Sequence, residues 1–164
     1  MDAPLPIIVG NDGSDFARLA THRALWLAQQ LQAPVRIVRA WSISTAPRPA
    51  TWSPGYVPPA DDFEAAVRQR LERDVAGQRA EFPEVEVILE TPHGPPGREL
   101  LKAARDARVL VVGTRGAGGF KGLRMGSVSD QVVEHATCDV LVVRRGIDEQ
   151  SPAGRTRLDG ILDQ

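Results

Sequence analysis

The sequence predicts an α/β fold in which five parallel strands form one doubly wound sheet. Apolar, β-branched segments alternate with segments of helical periodicity, in the order β-α-β-α-β-α-β-α-β. This alternation is typical of parallel sheets joined by right-handed crossover helices. Two unusual loops, Gly10–Ser14 and Gly113–Ser127, follow the first and the fourth predicted strands. Because ligand-binding loops lie where the strand order reverses, these loops favour the order 3-2-1-4-5 over 2-1-3-4-5.

Local sequence signals indicate where the elements in the first part of the chain begin and end. The first predicted strand, Leu5–Val9, stops at Gly10, and Ser14 then stands as a helix N-cap. Apolar residues at helical spacing predict the first helix: Phe16, Leu19, Ala20, Ala24, Leu27 and Leu31. Pro34 ends this helix, and Val35–Trp41 is the second predicted strand.

A long loop separates the second strand from the second helix. Ser44–Ala60 holds five prolines, and its length indicates either a function or mobility. The aromatic residues Trp41, Trp52 and Tyr56 around this loop are interpreted as local packing, with a lid over a ligand or a partner surface as alternatives. The second helix follows from apolar residues four apart: Phe63, Val67, Leu71 and Val75.

The second half of the chain continues the alternation. Pro95 and Pro96 are placed to open a helix around Leu100. The remaining predicted elements are the strands Val85–Leu89, Val109–Val112 and Val140–Val143 and the last helix, Ser127–Ala136. Residues 1–144 are expected to form a single domain, and 145–164 a polar tail for which docking and disorder stay open.

Composition excludes several classes of protein. The chain has 164 residues and a net charge of −1, so a general nucleic-acid-binding surface is not expected. No apolar run approaches the roughly 20 residues that span a bilayer, and the N-terminal residues lack the basic region of a signal peptide. Cys138 is the only cysteine, which excludes an intrachain disulfide. These features predict a cytoplasmic protein with no membrane or nucleic-acid partner.

The loop after the fourth strand has the chemistry of an anion site. Six of the fourteen residues from Gly113 to Gly126 are glycine, and no acid occurs between Asp106 and Asp130. Glycines let backbone N–H groups approach a phosphate closely. The helix that opens at Ser127 adds free N–H groups and a favourable dipole. The alternative is a tight or flexible βα turn that binds nothing.

Two common phosphate motifs do not match this loop. The chain has no G-x-x-x-x-G-K-[ST]. Lys121 occupies the third glycine position of a dinucleotide fingerprint that would begin at Gly116. The spacing that does match is G-x-x-G, nine residues, then G-[ST], which runs from Gly113 to Ser127.

That spacing resembles the universal stress protein family, in its ATP-binding subgroup. The opening V-G-N-D-G-S at 9–14 looks like the family's V-G-x-D-G-S, and Gly94-Pro95-Pro96 stands where the family often has G-x-P. The resemblance covers roughly residues 5–144. It implies a Rossmann-like fold of the adenine nucleotide alpha hydrolase-like type. It also implies a homodimer paired through the last strand, here Val140–Val143.

Residue by residue, the resemblance implies an ATP site. Contacts to ribose and phosphates would come from Gly113, Arg115, Gly116, Gly126, Ser127, Val128 and Ser129. Gly10 and Ala40 would border the adenine, with Val112 beneath it. Asp12 would help to hold Mg²⁺ or Mn²⁺ beside the triphosphate, whereas the alternative is an Asp that only caps backbone N–H groups of its turn. Arg39, where the family commonly has histidine, is interpreted as a strand-end residue that points to solvent.

Together these expectations describe a nucleotide-dependent regulatory protein. Bound ATP would set a conformation or assembly state that an unidentified protein partner reads. Hydrolysis would be slow at best, because no second carboxylate is placed to orient water. Two alternatives stay open. One is a nucleotide-using enzyme of the same α/β class, which the sequence at 11–14 opposes because it lacks S-G-G-x-D-S and H-x-G-H. The other is a scaffold that binds nothing, or another nucleotide such as cyclic AMP.

Overall fold

The structure, a computed structural model, describes residues 4–114 and 125–144. Within these ranges strands and helices alternate in the predicted order. The strands are β1 (Ile7–Gly10), β2 (Val35–Val38), β3 (Val87–Glu90), β4 (Val109–Gly113) and β5 (Asp139–Val143). The helices are α1 (Asp15–Leu31), α2 (Ala60–Glu81), α3 (Pro96–Ala103) and α4 (Ser127–His135). None of these helices is long and apolar enough to cross a membrane.

The strands form one parallel sheet with the order β3-β2-β1-β4-β5, which confirms the predicted topology. β1 is central: Ile7 pairs with Val35 of β2 on one side and with Val109 of β4 on the other. The strand order reverses between β1 and β4. The carboxyl ends of these two strands therefore open onto the crevice in which such sheets bind ligands.

Each face of the sheet is covered by two helices. Successive side chains of a strand point to opposite faces, so Ile7 and Val9 pack on the α1 and α2 side while Ile8 packs on the α3 and α4 side. The first cluster takes Leu25 from α1 and Leu71 from α2, both completely buried. The second takes the following side chains from α3, β4 and α4: Leu100, Leu110 and Val132. These two layers fix the ends of β1 and β4 relative to α1 and α4.

The first helix begins where the sequence predicts. The Ser14 hydroxyl oxygen accepts a hydrogen bond from the Ala17 N–H at 3.1 Å, as an N-cap does. The helix ends at Leu31, with Gln32 in the left-handed conformation as its C-cap. The predicted N-cap is therefore confirmed, and it holds the turn between β1 and α1 at the edge of the crevice.

The second strand is shorter than predicted. Regular pairing ends at Val38, and Trp41 makes only an isolated bridge to His93. The Trp41 indole is nevertheless buried, and its Nε1–H donates to the Thr91 carbonyl at 2.9 Å. It packs against Phe63 of α2, which agrees with local packing as its role. The chain from Ser44 to Pro59 has no regular helix or strand, and α2 begins at Ala60.

Candidate functional site

A cleft of about 1140 Å³ opens at the carboxyl edge of the sheet. The turn between β1 and α1, the residues after β2 and the first turn of α4 all line it. The predicted site residues that the structure describes all face this cleft: Gly10, Asp12, Ala40, Val112, Gly113, Gly126, Ser127, Val128 and Ser129. Arg115 and Gly116 lie outside the described residues. The ligand contacts assigned to all of these residues stay predictions.

The first turn of α4 supplies anion-binding groups to the cleft. The first N–H groups of a helix have no partner inside the helix. Gly126, the N-cap residue, has no side chain that could satisfy them, and the first backbone bond of α4 runs from Asp130 N–H to Gly126 O at 2.9 Å. The N–H groups of residues 127–129 and the positive end of the α4 dipole thus favour a negatively charged group here.

Two hydrogen bonds join the ends of the glycine loop. The Gly126 N–H donates to the Thr114 carbonyl at 2.8 Å, and the Ser129 hydroxyl donates to the Gly113 carbonyl at 2.6 Å. Ser129 is buried, whereas Ser127 is exposed beside the cleft. The hydroxyl proton of Ser129 is therefore used within the fold, and Ser127 is the better candidate for a hydroxyl donor to a ligand.

Gly113 has a packing reason to be glycine. A Cβ at this position would lie 2.8 Å from the Phe16 Cβ and 2.9 Å from the Phe16 carbonyl carbon in α1. Both distances are shorter than real Cβ contacts, so a side chain would push β4 away from α1. Glycine at position 113 can thus be explained by the close packing of β4 against α1, as well as by the close approach of an anion.

The turn after β1 places Asp12 at the mouth of the cleft. The Asp12 Oδ1 accepts a hydrogen bond from the Ser14 N–H at 3.0 Å. Gly13 follows with a φ of 84°, which glycine adopts without strain. The capping role of Asp12 is therefore present in the fold, and a metal-binding role stays a prediction. Among residues 4–114 and 125–144, no cluster of three His, Cys, Asp or Glu residues could hold a metal ion by itself.

Arg39 does not point to solvent, so its sequence interpretation was wrong. Its side chain is only 10% exposed and folds back under the turn after β1. The guanidinium donates from Nε to the Asn11 carbonyl at 3.0 Å, from Nη2 to the Asn11 Oδ1, and from Nη1 to the Asp74 Oδ2 at 2.8 Å. Three acceptors together satisfy the buried cation, which makes burial tolerable.

The backbone of Ala40 faces the cleft. The N–H groups of Arg39 and Trp41 donate towards β3, to the carbonyls of Glu90 and Pro92. In a parallel sheet the N–H and C=O of alternate residues point to opposite sides of the strand. The peptide groups of Ala40 therefore point the other way, over the end of β1, where the chain turns off after Gly10.

Cys138 is a packed side chain beside β5. It is partly buried against the cluster on the α3 and α4 side. This burial raises the pKa of the Cys138 thiol, although backbone hydrogen bonds act in the opposite direction. A raised pKa means less thiolate, which fits the predicted structural role.

Comparison with known proteins decides the family. The model of the universal stress protein family matches residues 5–144. The chain belongs to this family. Universal stress proteins of Mycolicibacterium smegmatis and Mycobacterium tuberculosis are each 32% identical to it, over 147 and 142 residues and 87% of this chain. The alignments cover 47% and 46% of those proteins, so the chain spans about half the length of the curated relatives it matches.

Solved structures of universal stress proteins share this fold. UspA from Lactobacillus plantarum aligns with a TM-score of 0.65 at 25% identity, over 88% of this chain and 100% of that one. A universal stress protein in complex with cAMP gives 0.60 at 22%, over 87% and 98%. The universal stress protein from Archaeoglobus fulgidus in complex with dAMP gives 0.61 at 23%, over 86% and 98%. At such identities the last two comparisons establish the fold alone.

Sequence reasoning missed the two residues of the cleft that bind Arg39. Asn11 was noted only as the variable position of a motif, and Asp74 was not singled out. The available signal was weak: Asn11 is a polar residue between a buried strand and a glycine turn, and Asp74 looks like an ordinary helix-surface acid beside Arg70. Their partner Arg39 lies 28 residues from Asn11 and 35 from Asp74, so only the tertiary fold brings them together.

Proposed function

We propose that this chain binds ATP in the cleft and acts as a nucleotide-dependent regulatory protein. The observation that carries the proposal is the arrangement of the cleft, which has a peptide edge near Ala40 at one end and the uncapped start of α4 at the other. The peptide edge near Ala40 suits adenine, and the start of α4 suits a polyphosphate. The volume of about 1140 Å³ suits a ligand larger than an anion alone.

The adenine would lie against the residues after β2. The exposed edge of adenine offers a ring-nitrogen acceptor and an amino donor, which are complementary to a peptide N–H and C=O. Ala40 turns both groups towards the cleft, and Gly10 and Val112 line the same cleft. Val112 is only 4% exposed, so it would form an apolar floor for the ring.

The phosphates would lie at the start of α4. The N–H groups of Ser127, Val128 and Ser129 and the hydroxyl of Ser127 are donors of the type that phosphate oxygens require. Gly126 leaves this helix end open because it has no side chain. Arg115 and Gly116 are proposed to add contacts from the glycine loop.

The proposed metal ion is Mg²⁺ or Mn²⁺. Asp12 would hold it together with phosphate oxygens, since both ions prefer oxygen ligands and often bind through one carboxylate and the substrate. Bound metal would neutralise part of the triphosphate charge. The single carboxylate of Asp12 fits this shared mode and does not fit a site built from protein ligands alone.

Slow hydrolysis is part of the proposal. Fast phosphoryl transfer to water needs a group that orients the attacking molecule. Among the described residues of the cleft, the only other carboxylate is that of Asp74, and Arg39 and Arg70 hold both of its oxygens. ATP would therefore be kept long enough to set a state that a partner protein reads. The cytoplasm is the compartment that we propose for this activity.

Another adenine nucleotide is the second candidate ligand. The complexes with cAMP and dAMP named above were formed by proteins of the same fold. Either ligand would use the peptide edge of Ala40 and place a single phosphate at α4. Competition between ATP and cyclic AMP in one calorimetric titration separates the two candidates by affinity.

A homodimer paired through β5 completes the proposal. β5 is an edge strand of the sheet, since β4 lies on one side of it and no strand of the described residues lies on the other. Edge strands of parallel sheets carry unpaired N–H and C=O groups that a second copy can use. Val140–Val143 is the segment that we expect to pair.

Calorimetric titration with ATP·Mg²⁺ tests the binding site. Wild type should bind one ATP per chain, and Gly126→Val should abolish binding because a branched side chain would cover the start of α4. Gly126 has a φ of −83° and a ψ of 158°, which any residue adopts, so the variant should fold. Gly77→Val, on the exposed side of α2, is the matched control and should bind like wild type. An absence of heat with wild type would reject the ATP site.

A further inference from the structure

We infer that Arg39 is a positioning residue that holds the turn after β1, Asn11–Gly13, in the shape that binds the triphosphate. The inference rests on the proposed ATP site and goes beyond it, because Arg39 acts from below the turn, through Asn11. Asp74 of α2 in turn fixes the guanidinium. The three side chains form a partly buried bridge between the ends of β1 and β2 and helix α2.

The bridge binds the turn at two atoms. Arg39 donates from Nε to the Asn11 carbonyl at 3.0 Å and from Nη2 to the Asn11 Oδ1. The same Oδ1 accepts from the Gly13 N–H at 3.0 Å. Asn11 is thus the link between the guanidinium and the glycine that follows Asp12. Movement of the guanidinium would release the Asn11 carbonyl, which precedes Asp12. It would also release the Asn11 Oδ1, which accepts from the N–H of Gly13 after Asp12.

Two further hydrogen bonds hold Asn11 but do not involve its carbonyl. The Asn11 N–H donates to the Val38 carbonyl at 2.9 Å, and the Asn11 Nδ2 donates to the Thr21 Oγ1 at 2.9 Å. These bonds fix Asn11 itself to β2 and α1. They do not hold the Asn11 carbonyl, which marks where the chain turns from the strand towards Asp12. Among the residues that the structure describes, the side chain of Arg39 is the group that holds it.

The ion pair with Asp74 sets the direction of the guanidinium. Nη1 of Arg39 lies 2.8 Å from the Asp74 Oδ2, and Arg70 holds the other oxygen of the same carboxylate at 3.2 Å. The Asp74 side chain is 28% exposed, compared with 10% for Arg39. The planar fork of arginine can serve the Asn11 and Asp74 acceptors at once, whereas a lysine ammonium keeps the charge but not the fork.

The same strand offers a matched control. Arg36 of β2 also makes a two-bond ion pair, with Glu90 of β3 at 2.6 and 2.9 Å. It does not line the cleft, and its other bond runs to the Ala103 carbonyl. Loss of the Arg36 pair should therefore change the stability of the sheet but not the turn after β1.

The test compares Arg39→Lys with Arg36→Lys by calorimetry, using ATP·Mg²⁺ and adenosine. Arg39→Lys should weaken ATP binding by about tenfold, the scale of one charge-assisted hydrogen bond, and leave adenosine binding unchanged. Arg36→Lys should leave both affinities unchanged. A merely structural role would lower both affinities together or match the Arg36 variant, and either result overturns the inference. If Arg39→Lys does not fold, Asp74→Asn should give a smaller loss with the same selectivity for ATP.

Hydrogen exchange of the nucleotide-free protein keeps this test separate from the ATP proposal. Arg39→Lys should speed exchange of the Gly13 amide, whose acceptor is the Asn11 Oδ1 that Arg39 holds, and Arg36→Lys should not. If wild type binds no nucleotide but the Gly13 amide responds as expected, the proposed function fails while the positioning of the turn stands. An unchanged Gly13 exchange rate overturns the positioning whatever the binding result.

Discussion

The hydroxyl of Ser129 donates a hydrogen bond of 2.6 Å to the carbonyl of Gly113, and this bond ties the first turn of α4 to the end of β4. The Gly126 N–H makes a second tie to the Thr114 carbonyl at 2.8 Å. Together they bring the two ends of the glycine loop to one place beside the cleft. Ser127, two residues earlier in the same helix turn as Ser129, is exposed. The two serines should therefore differ in what their hydroxyl groups do.

Substitution of each serine should separate stability from binding. Ser129→Ala removes the hydrogen bond of a buried residue and should lower the free energy of unfolding by about 1–3 kcal/mol. Ser127→Ala should change it by less than about 0.5 kcal/mol, as exposed substitutions do, but should weaken ATP binding. Urea denaturation and calorimetry of both variants measure the two effects. Equal stabilities for the two variants would contradict the assignment of the Ser129 hydroxyl to the fold.

Alanine at Gly113 should destabilise the protein. The new Cβ would meet the Phe16 backbone and Cβ at 2.8–2.9 Å, so β4 or α1 must shift. The free energy of unfolding should fall by about 1–3 kcal/mol, as in other overpacked sites. Gly77→Ala is the matched control, because nothing lies within 4 Å of a Cβ at this position. Alanine in place of glycine in a helix interior should raise the free energy of unfolding by about 0.5–1 kcal/mol. Thermal unfolding of both variants should give shifts of opposite sign, and a stable Gly113→Ala would exclude the packing explanation.

Asn at position 12 should remove the effect of metal on binding. An asparagine oxygen can still accept from the Ser14 N–H, so the turn and the stability should be kept. Mg²⁺ should strengthen ATP binding to wild type by at least about tenfold, or about 1.4 kcal/mol, and should strengthen binding to Asp12→Asn far less. Titrations of both proteins in Mg²⁺ and in EDTA give the four affinities. If Mg²⁺ strengthens ATP binding to both proteins equally, Asp12 does not bind the metal.

Proline at position 142 should break the proposed dimer. The Val143 carbonyl accepts from the Thr114 N–H at 3.0 Å, so the peptide groups of Val143 face β4 and those of Val142 face outwards. Val142→Pro therefore removes an outward N–H and should weaken dimerisation without loss of a bond to β4.

The opposite edge of the sheet supplies the control for the dimer. Glu86 and Glu90 accept bonds from β2, so the peptide groups of Val87 also face outwards. Val87→Pro should leave the dimer intact. Sedimentation velocity of both variants, with circular dichroism as a check of folding, distinguishes the edges. A wild-type monomer, or a folded Val142→Pro dimer, would show that β5 does not form the interface.

The topology could be predicted because local signals carried it. Five apolar strands alternate with helices, and the loops after β1 and β4 differ visibly from the others. These features were enough for the observed strand order. The meeting of Asp12, Ala40 and Ser127 in one cleft follows from that order, because the carboxyl ends of parallel strands share one edge of the sheet.

The interior of the site could not be predicted in the same way. Arg39 ends an apolar strand, and a charged residue there is ordinarily solvated. Its burial depends on acceptors from Asn11 and Asp74, which no spacing rule connects to it. The predicted length of β2 was wrong for a related reason. The chain of β1 turns away after Gly10, so the residues beyond Val38 lose their pairing with β1 and keep hydrogen bonds only on the β3 side.

Amide chemical shifts during a titration with ATP·Mg²⁺ test directly whether the cleft binds ATP. Residue-specific shifts locate the ligand without a substitution that could alter the fold. Saturable shifts are expected at Asn11–Gly13, Ala40 and Ser127–Ser129, and the amide of Ile88 in the outer strand β3 should be unchanged. Shifts that cluster instead around the exposed side chains of Trp52 and Tyr56, or no shifts at all, would contradict an adenine nucleotide site in this cleft.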